Sequence, residues 1–444
     1  MPLPSSARFL LLGLLAVTPL SSAVIGTSKP AESISPARIA SLPVKERAAW
    51  TAYLERSQKQ MQIDRATLAA ERTAGAPEPP LPKEGFSART MPLNRDAAWY
   101  GTAEARHVAD VIVSFQTPAG GWSKNLDMSG DLRARGQSYT PDNLSRHPGR
   151  DDFDAPKDPR WNYVGTLDND ATNTELHILA LVSGATPEGA GESYRASFLR
   201  GIRYLLEAQF PNGGWPQVWP LEGGYHDAIT FNDNAVTESA ETLTAVAEGA
   251  ANYTFVPEGL RKQAAASADR ALECILATQV TVKGQRTVWA QQHDALTLTP
   301  VAGRNYEPAA LSSGESADVL MYLMQLPHPS PAVVAAVNAG AAWLKSKAIT
   351  GQEWVGGRGD PKGRHLEAMA GAGPIWARYY SITTGLPVFG DRDKTIHDDV
   401  SELSLERRNG YAWYSGGPQQ ALDAYAAWST SHGSMRIDRA SNCQ

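Results

Sequence analysis

Ala- and Leu-rich stretches with helical spacing recur along most of this chain, separated by loops rich in Gly, Pro and Trp. That alternation is the strongest constraint on the fold. The apolar spacing predicts helices over 100–117, 172–184, 192–209, 235–251, 258–279, 314–326, 330–347, 365–384 and 418–430. Few runs alternate at period two, so strands are expected to be short and sparse. Helices of this kind bury their apolar faces against each other. The 444 residues suffice for one large core or two medium ones.

An internal echo points to how the helices are arranged. FQTPAGGWSK (115–124) resembles QFPNGGWPQ (209–217), and each segment follows a predicted helix. Trp122 and Trp215 are 93 residues apart (215 − 122). That is too long for a solenoid repeat but fits a helical pair plus a long loop. A mainly α toroid of paired helices, with long loops and few short strands, is therefore expected.

The N-terminus reads as a secretory signal peptide over 1–23. Arg8 is followed by the apolar run Phe9–Val17, then Pro19 and Ser21-Ser22-Ala23. No later stretch reaches about 18 apolar residues, so no membrane span is expected. Export would place the protein in the periplasm or outside the cell, where calcium is abundant. Residues 24–95 read as a helical extension with a Pro-rich linker at 75–85. Within them, 27–42 is expected to be a poorly ordered lead-in and 42–74 one or two amphipathic helices. The remainder, 96–444, is the expected catalytic domain. With 41 basic and 47 acidic residues, the net charge of −6 argues against a nucleic-acid partner bound through bulk charge. The only cysteines, Cys274 and Cys443, exclude a disulfide scaffold and leave a single bridge open.

Four clusters could carry chemistry. TLDNDATNTEL (166–176) and ITFNDNAVTE (229–238) both sit where a loop enters a helix. Asp170, Thr172 or Asp233 could cap those helices. The same clusters offer hard oxygen donors of the kind calcium takes, without the glycine and glutamate of an EF-hand. GRNYEPAALS (303–312) places Arg304 in a loop. PIWARYY (374–380) and GDRD (390–393) place Arg378 on a predicted helix and Arg392 in the loop beyond it. Both could equally be structural arginines. There is no nucleophile elbow, phosphate loop or zinc-binding His pair.

At these blocks the sequence resembles the pectate lyases of polysaccharide lyase family 10. The matching pieces are GGWSKN (120–125), TLDNDATNTEL, GGWPQVWPLEGGYHDAITFNDNA (213–235), GRNYEPAALS and PIWARYY followed by FGDRD. They stand in family order over most of 96–444. The resemblance implies an (α/α)3 toroid and calcium-assisted β-elimination of 4-linked polygalacturonate, giving 4,5-unsaturated oligogalacturonates. It implies Asp168, Asn169 and Asp233 as calcium ligands and Arg304 as the base. It implies Lys124, Arg378 and Arg392 as substrate contacts; separately, the protein is expected to be a monomer. Trp122, Trp215 and Trp219 could stack on sugars or pack in the fold. Two other readings fit the same residues. A toroidal glycoside hydrolase would use Asp168 and Asp233 as its carboxylate pair, and a non-catalytic protein would only hold pectin fragments.

Overall fold

The computed structural model describes residues 24–432 except 86, 148, 150 and 188. The expected signal peptide and Cys443 lie outside the described residues. Cys274 is buried and free.

Among the described residues, nine long helices carry the fold. They are α1 (Val44–Glu71), α2 (Ala103–Phe115), α3 (Asn173–Ala185), α4 (Glu192–Ala208), α5 (Ala235–Glu248), α6 (Glu258–Thr278), α7 (Ser313–Gln325), α8 (Pro331–Lys347) and α9 (Pro418–Ser431). Local rules account for their ends and faces. Thr102 caps α2 by accepting the Ala105 N–H at 3.2 Å, and Val108, Val111, Ile112 and Phe115 turn one apolar stripe inward. Ser330 and Pro331 start α8 in the same way. Three hairpins, α3/α4, α5/α6 and α7/α8, stand side by side. Their first helices form an inner row and their second helices an outer row. Helix α2 closes on the first hairpin and α9 on the last. This is the expected α/α toroid, built around one large core, with a smaller cluster of Leu68, Tyr139, Trp161 and Val164 beside it.

The Gly-Gly-Trp echo is the visible part of a device repeated along the toroid. Gln116, Gln209 and Gln279 stand just past the ends of α2, α4 and α6. Each side-chain amide donates twice. One bond goes to the returning loop (Gly120 O, Gly213 O, Thr287 O) and one to the next outer helix (Ser197 O, Ser267 O, Ala336 O), all at 2.8–3.0 Å. The loop then buries a tryptophan whose Nε1 donates 2.7 Å back to the preceding helix. Trp122 reaches Ile112 O, Trp215 reaches Leu205 O and Trp289 reaches Ile275 O. Trp376 repeats the bond to Leu344 O. Glycine is required because backbone crowds these turns. A Cβ on Gly213, at φ +94°, would lie 2.0 Å from Arg270 O.

Two expectations need correction. Residues 365–384 are not helical. His365–Ala368 pairs antiparallel with Gln352–Val355, Trp376–Ala377 with Tyr414–Ser415, and Tyr379–Tyr380 with Leu311–Ser312. Gly371 and Gly373, both at positive φ, and Pro374 break the Ala-rich run that mimicked a helix. Nor is 27–42 a poorly ordered lead-in. Val24–Thr27 pairs with Thr395–His397, Ser35 caps a helix over Pro36–Ala40, and Ile34, Ile39 and Leu42 are buried. Residues 42–74 hold one long helix, α1, rather than two. Its Trp50 and Tyr53 pack on Phe210, with ring centres 5.4 and 5.1 Å away. Among the described residues no helix is long and apolar enough to cross a membrane.

Candidate active site

The N-termini of α3, α5 and α7 follow the three segments that carry the acidic clusters and Arg304. Neither cluster caps its helix with a side chain. Instead the chain enters through left-handed backbone at Asn169, Asp170 and Thr172, and at Asp233 and Asn234. Five non-glycine residues with positive φ cost conformational energy. Such strain persists where the surroundings fix it, typically at functional sites. Here it turns the Asp168 and Asp233 side chains towards each other.

The two carboxylates face each other closely, and Asn169 N–H donates to Asp233 Oδ2 at 3.4 Å. Asn232 Nδ2 donates to the same oxygen at 2.7 Å, and Gln217 Nε2 donates to Asp168 Oδ1 at 2.8 Å. The Lys124 ammonium bonds Asp168 Oδ2 and lies 3.4 Å from the Tyr163 ring centre. Asn169 Nδ2 donates to Asn125 Oδ1 at 2.9 Å, which ties the cluster to the Gly-Gly-Trp loop. Burial opposes the Asp168 charge, yet the Lys124 ammonium and hydrogen bonds hold its carboxyl well below the usual range. Burial and the neighbouring Asp168 charge push Asp233 well up. Without a cation the pair therefore shares a proton. Carboxyl groups this close do not leave the roughly 5–10 Å that a glycoside hydrolase places between its acid and its base or nucleophile.

Arg378 enters from the break between the Trp376–Ala377 and Tyr379–Tyr380 strands. Its Nη2 donates to Asn232 Oδ1 at 3.1 Å and to Glu315 Oε1. Arg304 is held by Glu307, through its backbone N–H at 2.8 Å and its guanidinium at 2.5 Å. Tyr411 Oη donates to the same Glu307 carboxylate at 2.8 Å. Burial disfavours the charged Arg304, but Glu307 overcomes this and holds its pKa well above the ordinary value. Arg392 lies nearer the rim and pairs with Glu406 through Nε at 2.7 Å.

Lys124, Arg304 and Arg392 line one cleft of about 270 Å³, together with Tyr306, Asp152 and Asp154. The Arg304 charge also reaches Asp168. The predicted residues thus come together, with Arg392 at the margin. Trp122, Trp215 and Trp219 are all buried and serve packing. The sequence reading missed Glu307, Glu315, Gln217 and Asn232. Glu307 carried a signal, since it stands three residues after Arg304 with the opposite charge.

A helical toroid with paired carboxylates, an amide and convergent cations at one end of its inner helices defines a polysaccharide-cleaving enzyme that handles acidic sugars. The chain belongs to the pectic acid lyase family, whose model matches residues 116–422. It is a pectate lyase. Two solved structures are similar. One is the family 10 polysaccharide lyase from Cellvibrio cellulosa, 28% identical, with a TM-score of 0.63 over 78% of this chain and 99% of that one. The other is an aspartate-to-alanine mutant of that lyase in complex with trigalacturonic acid, 30% identical, with a TM-score of 0.62 over 74% of this chain and 95% of that one. Comparison with curated proteins gives no match.

Proposed function

We propose that the protein cleaves polygalacturonate by calcium-dependent β-elimination, with Arg304 as the base. The observation that carries this reading is the meeting of Asp168, Asn169 and Asp233 beside Lys124 and Arg378, with Arg304 in the adjoining cleft.

The donor set suits a hard divalent cation. Two carboxylates and one amide oxygen are too few for calcium, which takes 6–8 oxygens. Among the described residues no three His, Cys, Asp or Glu side chains gather into a closed cage. Substrate carboxylate and water would complete the set. Two carboxylates forced to share a proton would also each gain from a cation in its place. Bound there, calcium would draw charge from the substrate carboxylate and acidify the proton at C5.

The chain's own residues do the rest. Lys124 and Arg378 neutralise uronate carboxylates, so that charge developing beside the carboxylate is stabilised. Arg304 takes the C5 proton, the C5–H electron pair forms the C4=C5 double bond, and the C4–O bond breaks onto the departing sugar oxygen. That oxygen takes a proton from water. The product is an unsaturated uronate, which absorbs in the ultraviolet. Arginine is a base only when deprotonated, and Glu307 opposes that, so the rate should climb at alkaline pH. The trigalacturonate bound by the similar lyase supports this substrate class.

The direct test is ultraviolet absorbance on polygalacturonate with and without calcium, for the wild type and Arg304→Ala. The wild type should release unsaturated product only with calcium. The variant should fold normally and lose at least about 100-fold in rate, as expected for a missing base. An Arg304→Ala enzyme of undiminished rate rules out the base assignment.

A further inference from the structure

A second cationic surface runs between α1, which precedes the segment that matches the family, and the loop over 153–161 inside that segment. Two cavities, of about 410 and 380 Å³, share Arg65, Asp158 and Trp161 in their walls. The first adds Arg72 and Arg160, and the second adds Lys157. Arg65 meets Asp158 at 2.8 Å and lies 5.0 Å from the Trp161 ring centre. Glu78 holds Arg72 at 2.8 Å and Arg160 at 3.3 Å. Lys157 is exposed and makes no salt bridge within 4 Å among the described residues, though its charge reaches the buried Asp227. Glu222, the other acid of the second cavity, accepts the Tyr163 and Val164 amides, and burial lifts its carboxyl to about 8. Four cations, Arg65, Arg72, Lys157 and Arg160, thus stand against the paired acids Asp158 and Glu78 and the buried Glu222. The Trp161 Nε1 and His226 Nε2 atoms are buried without hydrogen-bond partners. This surplus stands on a chain of net charge −6.

One ridge separates this groove from the cleft. Asp152 and Asp154 of the ridge face the cleft, while Phe153, Ala155, Pro156 and Lys157 face the second cavity. The ridge is fixed to the catalytic loops. Phe153 N–H donates to Asn305 Oδ1 at 2.9 Å, and Asn305 Nδ2 donates to Arg392 O at 2.8 Å.

We propose that the groove along α1 is a distal subsite for the acidic polysaccharide, holding uronate units beyond those at the cleavage site. The inference rests on the lyase reading for its ligand. Cations set beside the half-buried Met61, above the buried Leu68 and Trp161, suit a chain whose rings carry carboxylates. Occupying both sites at once converts the second contact into an intramolecular one and tightens long chains selectively.

The test compares the wild type with the Lys157→Glu/Arg160→Glu double variant on trigalacturonate and on long polygalacturonate. The expected result is a KM on the polymer raised about three- to tenfold, with trigalacturonate kinetics unchanged. Added salt should raise the wild-type polymer KM and shrink the difference between the two enzymes. An unchanged polymer KM, or an equal loss on both substrates, overturns the subsite. Lys157→Gln, which removes the charge without reversing it, should reproduce part of the effect if the double variant melts early. Titration of a long oligogalacturonate into the Arg304→Ala background reads the groove without turnover. There the charge-reversed variant should bind several-fold more weakly, and equal affinity overturns the proposal. A wild-type enzyme that releases no unsaturated product sinks the lyase reading instead, while the titration still reports on the groove.

Discussion

Glu307 grips Arg304 at both ends, its Oε2 accepting the backbone N–H at 2.8 Å and its Oε1 the guanidinium at 2.5 Å. The grip aims the side chain into the cleft and keeps it charged. Glu307→Gln removes the counter-charge but keeps the shape. The Arg304 pKa should then fall, and the rising limb of the pH–rate profile should move towards lower pH by about one unit. A limb that stays in place would mean that another group takes the proton.

The same pair sets a stability dependence on acid. Burial opposes ionisation of Glu307, but Arg304 overcomes it and brings the carboxyl from 4.5 down to about 2. The folded value lies below the unfolded one, so the unfolded chain binds the proton more readily. The pair's contribution is complete above about pH 5 and is lost as the pH falls towards 2. Melting temperature measured against pH should show this loss in the wild type. Glu307→Gln should melt lower at neutral pH and decline less steeply in acid.

Much of this site was legible in the sequence, for a physical reason. Asp168, Asn169 and Asp233 sit at helix entries and Arg304 in the loop before α7, where short polar clusters stand out against apolar periodicity. What escaped depends on tertiary geometry. Arg378 was expected on a helix, but the Ala-rich run around it breaks at Gly373-Pro374 and pairs as strands, which no helical period could show. Glu315 partners Arg378 from 63 residues away, and spacing carries no trace of such a pairing. The fold followed the same division. Helix periodicity anticipated eight of the nine long helices at their positions and α1 as one or two, whereas the Gln–Trp device behind the Gly-Gly-Trp echo needed coordinates.

The Asp168–Asp233 pair yields a metal prediction with two readouts. Exhaustive chelation should abolish elimination, and added calcium should restore it. Calcium should also raise the melting temperature of the wild type, since a cation that binds the folded form alone stabilises it. Asp233→Asn should weaken both responses, because it removes one of two carboxylates while keeping an oxygen donor. Full activity in the presence of excess chelator would refute the metal assignment. A calcium shift that persists in the variant would place the ion elsewhere.

The Gln–Trp device should matter to the fold as much as to the loops that it shapes. Trp215 is fully buried, donates from Nε1 to Leu205 O at 2.7 Å, and closes the turn that leads to Gln217 and on to Asp168. Trp215→Phe keeps an aromatic ring but leaves Leu205 O without that donor and a void where the larger ring stood. The expected cost is about 2–3 kcal/mol, combining a lost buried hydrogen bond with a partly filled cavity. Denaturant unfolding should show the midpoint falling with the slope unchanged. Because the turn also positions Gln217 against Asp168, the variant should need more calcium for half-maximal rate. A stability loss with an unaltered calcium requirement would confine the tryptophan to packing, and an unaltered midpoint would deny the device any structural role.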